Sequence, residues 1–183
     1  MNFEYTTERL QLKSLNEYYA EEVLDFYLSG RDVFDAVEAD KSPAFYTTEY
    51  QSKSLYAETQ AFLNGSFYRY FWTLKESPDI IIGTCSFSNI MHSPYNCALL
   101  GYKLLPFYQK SGFAIEALSC LIKAFFEDNH MHRIEAYVLP DNAESIKLLE
   151  RLNFYREALC KKMILMNGQY VDHLKYVLIN PRD

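Results

Sequence analysis

A chain of 183 residues is long enough to bury a real core and short for two comfortable ones, so a single domain over residues 1–183 is expected. With 49% hydrophobic and 23% charged residues and only six Gly and six Pro, disordered and fibrous classes are excluded. The formal net charge of −6 argues against a nucleic-acid binder, which needs clustered Lys and Arg, and is compatible with a cationic substrate.

Sixteen Tyr and thirteen Phe mean that either the core or a binding groove is rich in rings, core packing being the commoner use. Cys85, Cys97, Cys120 and Cys160 are too scattered for a C-x-x-C pair or a zinc site and read as buried free thiols. His130 and His132 alone do not make a metal site, so no metal is expected. The opening MNFEYTTERLQLKSL lacks the charge and apolar pattern of a leader, and no apolar run approaches a membrane span. A cytoplasmic protein without membrane or nucleic-acid partners is expected, and a homodimer is allowed.

Taken in order, residues 7–15 alternate, with Leu10 and Leu12 on one face, as a first strand. Asn16 caps a helix to about Ser29, in which Tyr19, Ala20, Val23, Leu24, Phe26 and Tyr27 recur at helical spacing. An acidic stretch, 31–44, carries Asp32, Asp35, Glu38 and Asp40, either a lure for a cationic acceptor or an ordinary solvated loop. A second helix spans 47–63 and either walls a substrate groove or simply covers the sheet. Runs at 67–74 and 80–90 form a hairpin about a turn at Glu76-Ser77-Pro78-Asp79.

A further strand, 96–104, places Ala98, Leu100, Tyr102 and Leu104 on one face and ends before Pro106. A polar loop, Gln109-Lys110-Ser111-Gly112, leads into an amphipathic helix over 112–128 with Ile115, Leu118, Ile122, Phe125 and Phe126 in one stripe. The strand 133–139 follows, with Arg133, Glu135 and Tyr137 on its non-core face, and the strand-helix-strand unit implies a parallel pair. A short helix begins at Asp141 with Glu144 as its N3 partner, and two final strands, 154–166 and 169–179, meet at Asn167-Gly168. The fold class is thus α/β: a mixed, mostly antiparallel sheet with a central parallel pair and flanking helices.

The loop before the central helix leaves backbone N–H groups without helical partners and aims the positive end of the helix at whatever lies in front, which suits a phosphate-bearing cofactor. Gly112 and Ala114 keep the approach clear of side chains. Gln109-Lys110-Ser111-Gly112-Phe113-Ala114 matches the Q/R-x-x-G-x-G/A pattern that opens the cofactor helix of GNAT-type N-acetyltransferases. The chain resembles the GNAT branch that includes ribosomal-protein N-terminal acetyltransferases and spermidine acetyltransferases. Thr7-Glu8-Arg9-Leu10-Gln11-Leu12, Gly83-Thr84-Cys85, Leu100-Gly101-Tyr102-Lys103-Leu104 and residues 142–154 are similar to its other motifs, in order over nearly the whole chain.

That resemblance implies an acyl-CoA N-acyltransferase fold and acetyl transfer from acetyl-CoA to a primary amine: a protein N-terminus, a polyamine or another small cationic amine. The pyrophosphate would sit at Gln109, Lys110, Ser111, Gly112, Phe113 and Ala114, and the pantetheine arm beside Leu104 and Leu105. A backbone N–H near Leu104 or Leu105 would polarise the thioester carbonyl. Asn142 would contact the arm or cap its helix. Glu135 would be the general base, or else a Glu paired with Arg133 or Lys147. Leu149 stands where many relatives carry an acidic Tyr; Ser145 would hydrogen-bond the sulfur instead, or else be a plain N-terminal helix residue. A non-catalytic acyl-CoA-binding module is the reading that Leu149 motivates as an alternative.

Overall fold

The computed structural model describes residues 1–183. Its strands are β1 (Glu4–Thr6), β2 (Leu10–Lys13), β3 (Tyr68–Leu74), β4 (Ser77–Met91), β5 (Cys97–Leu104), β6 (Arg133–Val138), β7 (Tyr155–Met166) and β8 (Gln169–Ile179). Its helices are α1 (Ala20–Ser29), α2 (Arg31–Asp35), α3 (Thr48–Leu63), α4 (Phe113–Asn129) and α5 (Ala143–Arg151). The strands form one sheet in the order β1-β2-β3-β4-β5-β6-β8-β7, antiparallel throughout except for the β5–β6 pair. This is the expected mixed sheet with a central parallel pair.

Each face buries its own set. On one, α4 lays Ala117, Leu118, Leu121, Ile122 and Phe125 over Leu10, Leu12, Tyr70, Trp72, Phe87 and Leu100, with the Phe87 and Phe125 rings stacked at 4.0 Å. On the other, α1, α2 and α3 pack Val23, Phe26, Tyr27, Phe34 and Leu55 against Phe71 and Ile81. Thirteen of the thirty rings are buried and six more are half-buried against these clusters, so the core is their main but not their sole use. The Asn167-Gly168 turn joins β7 to β8 with both residues at positive φ, 50° and 72°, as a type I′ hairpin requires.

Several local expectations shift. A short β1 pairs with β2, and the acidic stretch contains α2, both too brief to announce themselves by periodicity. The β3–β4 turn is Lys75-Glu76, and Ser77, Pro78 and Asp79 already belong to β4, because register shifts at Trp72, Thr73 and Leu74 absorb the extra residues. The cap of α5 is Asn142 and not Asp141: its side-chain oxygen accepts the Ser145 N–H at 3.1 Å.

Candidate functional site

The site is built where the parallel strands part. β5 and β6 pair only at Cys97–Arg133, Ala98–Ile134 and Leu99–Glu135, while β5 stays paired with β4 as far as Leu104. From Leu99 to Leu104 its edge toward β6 is therefore open over about 16 Å, at roughly 3.3 Å per residue. The Leu105 N–H donates to the Ile82 carbonyl at 2.8 Å, so by alternation Lys103 also faces β4 while the N–H groups of Tyr102 and Leu104 face the gap. Of the two donors expected here, Leu104 is open and Leu105 is taken up by the sheet.

The loop at the head of this gap is held in a strained, exposed form. Lys110 and Gly112 have φ of 61° and 83°, and Gly112 caps α4 without any side-chain bond. The first helical bond runs from the Glu116 N–H to the Gly112 carbonyl at 3.1 Å, and the N–H groups of residues 110–115 find no acceptor within the chain. Gln109 reaches back to the Leu104 carbonyl at 3.3 Å, and Lys110 stands 3.7 Å from Glu144 at the surface.

Arg9 braces the loop from β1–β2. Its guanidinium donates to the Ser111 carbonyl (2.9 Å) and to Glu116 (2.7 Å) and lies 4.4 Å from the Phe113 ring centre. Glu116 also accepts from Thr7 (2.6 Å) and from the Arg9 N–H (2.8 Å). Burial pushes the Glu116 carboxyl up, but these Thr7 and Arg9 contacts outweigh it and hold the group below the usual range. A Cβ on Gly112 would crowd Arg9 Nη2 at 3.3 Å, and its φ of 83° favours glycine there. This role of Arg9 was invisible in sequence because its partners lie more than a hundred residues away.

On the α4–α5 face, Tyr102 projects from β5 to Ser145 in the first turn of α5, hydroxyl to hydroxyl at 2.6 Å. Burial, partly offset by the Ser145 bond, pushes the Tyr102 phenol up to about 12, so it stays protonated near neutrality. Leu149 is 1% exposed and packed in the core. Asn142 uses its oxygen as the helix cap and keeps its amide N–H groups free. Tyr102 could have been suspected only from sharing a strand face with Leu104.

The opposite face carries a cavity of about 510 Å3 between the connection after α2 and the β6–β8–β7 arm. It is lined by Glu38, Asp40, Lys41, Tyr137, Ile164 and His173, among others. Of the acidic stretch, Asp32 is exposed without a partner and the other three are engaged. Asp35 holds Arg31, Lys41 and the Tyr46 hydroxyl; Glu38 pairs with Lys41 (2.8 Å) and Lys103 (2.6 Å). Asp40 accepts the backbone N–H groups of Asn167 (2.6 Å) and Gly168 (3.2 Å), clamping the β7–β8 turn over the cavity.

Glu135 lies on the non-core face of β6, as expected, and is ion-paired there. It lies at the closed end of the gap, outside the cavity lining, with Arg133 at 2.7 Å, Lys175 at 2.8 Å and the Tyr137 hydroxyl at 3.2 Å. Burial raises its pKa, but the bonds from Lys175 and Arg133 prevail and leave it lowered. The pairing with Arg133 was foreseen; Lys175, and not Lys147, is the second partner. His92 is exposed in the turn before β5, at the far end from the loop, and His132 pairs with Asp183 at 2.6 Å.

An acetyltransferase (GNAT) domain model matches residues 9–155. The [ribosomal protein uS5]-alanine N-acetyltransferase of Escherichia coli is 30% identical over 177 residues, 96% of this chain and 90% of that one. A Bacillus subtilis protein named "Probable N-acetyltransferase YjcK" is 32% identical over 90% of each chain. The crystal structure of a ribosomal-protein-S5-alanine acetyltransferase from Vibrio fischeri superposes with a TM-score of 0.93 at 28% identity, covering 98% of each chain.

Proposed function

The chain belongs to the GNAT acetyltransferase family and is an acetyl-CoA-dependent N-acetyltransferase, and on that premise we propose that its acceptor is the α-amino group of a peptide or protein. In this reading residues 1–183 work as one cytoplasmic domain. The observation that carries it is the β5–β6 gap beyond Leu99, with the Tyr102–Ser145 pair on one face of the sheet and, on the other face, the cavity that begins at Tyr137 of β6.

The residues present fit the cofactor. The N–H groups of residues 110–115, cleared by Gly112, would hold the pyrophosphate, with Gln109, Lys110, Ser111, Phe113 and Ala114 around it. The open edge at Tyr102 and Leu104, the side chain of Leu105 and the amide of Asn142 would hold the arm. Bound acetyl-CoA supplies the activated acetyl group as a thioester. The Leu104 or Tyr102 N–H would face the thioester carbonyl as its polarising donor, and Ser145, backed by Tyr102, would be placed to supply a proton to the leaving sulfur.

The acceptor class follows from charge. A polyamine asks for several unpaired carboxylates, whereas Glu38 is matched by two lysines and Asp40 by the hairpin amides. Val37, Ala39, Phe45, Tyr50, Ile164 and Met166 make the remaining wall apolar, which suits a single amine with a short chain behind it. The uS5-alanine specificity named for the Escherichia coli relative agrees with this choice. Mass spectrometry of the purified protein with acetyl-CoA and a panel of peptides, polyamines and aminoglycosides tests it: peptide α-amines should be acetylated. Spermidine turnover with peptides untouched would overturn the acceptor, and acetyl-CoA binding with no thiol release would favour a binding module.

A further inference from the structure

We propose that His173 Nε2 is the general base that takes the proton from the acceptor's ammonium group. The proposal rests on the reading that the cavity receives the amine. His173 is 3% exposed, sits on the face of β8 turned from the core, and lines the cavity. Its Nδ1 lies 3.3 Å from the Val171 carbonyl, which can only accept, so in the neutral ring the proton is on Nδ1 and the lone pair on Nε2. No group of the chain pairs with that nitrogen, and no carboxylate pairs with the ring.

The carboxylates and the lysine facing it are committed. From the connection after α2, Glu38 lies between Lys41 and Lys103, and Asp40 accepts two backbone N–H groups. Lys41 is itself held charged by Asp35 and Glu38. Tyr137 of β6 gives its hydroxyl to Glu135, Tyr50 of α3 is a phenol, and Cys160 lies opposite on β7. Among the groups lining the cavity, His173 alone offers an unoccupied basic lone pair.

Position agrees with the role. Tyr137 pairs with Lys175, so His173 lies beyond it toward the C-terminal end of β6, the open end of the gap, whereas Glu135 sits at the closed end beside Leu99. The amine and its base thus occupy one face of the sheet and the Ser145–Tyr102 donor the other. The ammonium loses two protons in turnover. The first goes to Nε2 and on to solvent, freeing the nitrogen pair to form the N–C bond as the C–S bond breaks with its electrons on sulfur. The second replaces the proton that Ser145 hands to sulfur, so one proton is released net.

The test is the acidic limb of kcat/KM against pH for the wild-type enzyme, with two peptides whose α-amines differ in basicity. A limb at the same pH for both belongs to the enzyme, as expected; a limb that moves with the peptide means the proton is lost before binding and overturns the proposal. His173→Gln should lower kcat about 10²- to 10⁴-fold, leave acetyl-CoA affinity by calorimetry unchanged, and make the rate rise tenfold per pH unit with the free amine. Retention of kcat within threefold and of the limb overturns it. Should that variant not fold, His173→Asn carries the same test with the same two outcomes. A wild-type enzyme that binds acetyl-CoA but acetylates no peptide overturns the acceptor reading, and this assignment with it.

Discussion

Removing the Ser145 and Tyr102 hydroxyls singly and together tests whether they act as one proton donor. They lie 2.6 Å apart across the gap, and the buried phenol, at about 12, remains a donor throughout the neutral range. With Tyr102 donating to the Ser145 oxygen, the serine proton is free to turn into the gap and meet the developing thiolate. General-acid assistance is worth about 10² or more, so Ser145→Ala should lower single-turnover kcat about a hundredfold, near 2.7 kcal/mol. Tyr102→Phe removes only the supporting neutral hydrogen bond, about 0.5–1.5 kcal/mol, or roughly three- to tenfold. Because the phenol acts through the serine, the double variant should match Ser145→Ala, where independent effects would multiply to roughly a thousandfold. The Asn142 cap uses the backbone N–H of residue 145 and survives either change, so acetyl-CoA affinity should hold. Multiplying effects, or a Ser145→Ala enzyme within threefold of wild type, would refute the pairing.

Gly112→Ala forces a side chain to φ 83° and against Arg9; it should cost about 1–2 kcal/mol of stability in thermal melts and weaken acetyl-CoA about tenfold by calorimetry, the worth of one charged hydrogen bond, while Gly112→Trp should abolish binding. Glu116 has a folded pKa below its unfolded one, so the stability it adds over Glu116→Gln should be full above the ordinary glutamate value and vanish as pH falls through the lower folded value, as denaturant melts at stepped pH will show. Glu135→Gln unpairs Arg133 and Lys175 and should lose about 1.5–3 kcal/mol of stability while keeping the shape of the pH–rate profile; loss of its acidic limb would restore the carboxylate as base.

What could be read without coordinates was whatever the chain writes locally. The stripe of α4, the alternation of β5 and β6, the Asn167-Gly168 turn and the Gln109–Ala114 loop each lie within one element or its immediate flank, where residue type and period suffice. The small departures, β1, α2 and the Lys75-Glu76 turn, occur where elements are too short for a period to accumulate or where register shifts absorb residues.

The amino-acid sequence by itself determined the sheet order's parallel pair, the Gln109–Ala114 loop ahead of the central helix and the family, because those depend on contiguous pattern. Tertiary structure alone decided the chemistry around them. Glu135 reads as either a base or a partner of Arg133 or Lys147 until β8 brings Lys175 to it, and His173 stands alone in the sequence until the connection after α2 folds over it and Asp40 pins the hairpin turn. Tyr102 and Ser145, 43 positions apart, meet only because β5 and β6 diverge and α5 returns across the gap. A proton's path depends on distances of a few ångströms between residues far apart in the chain, and no local period records them.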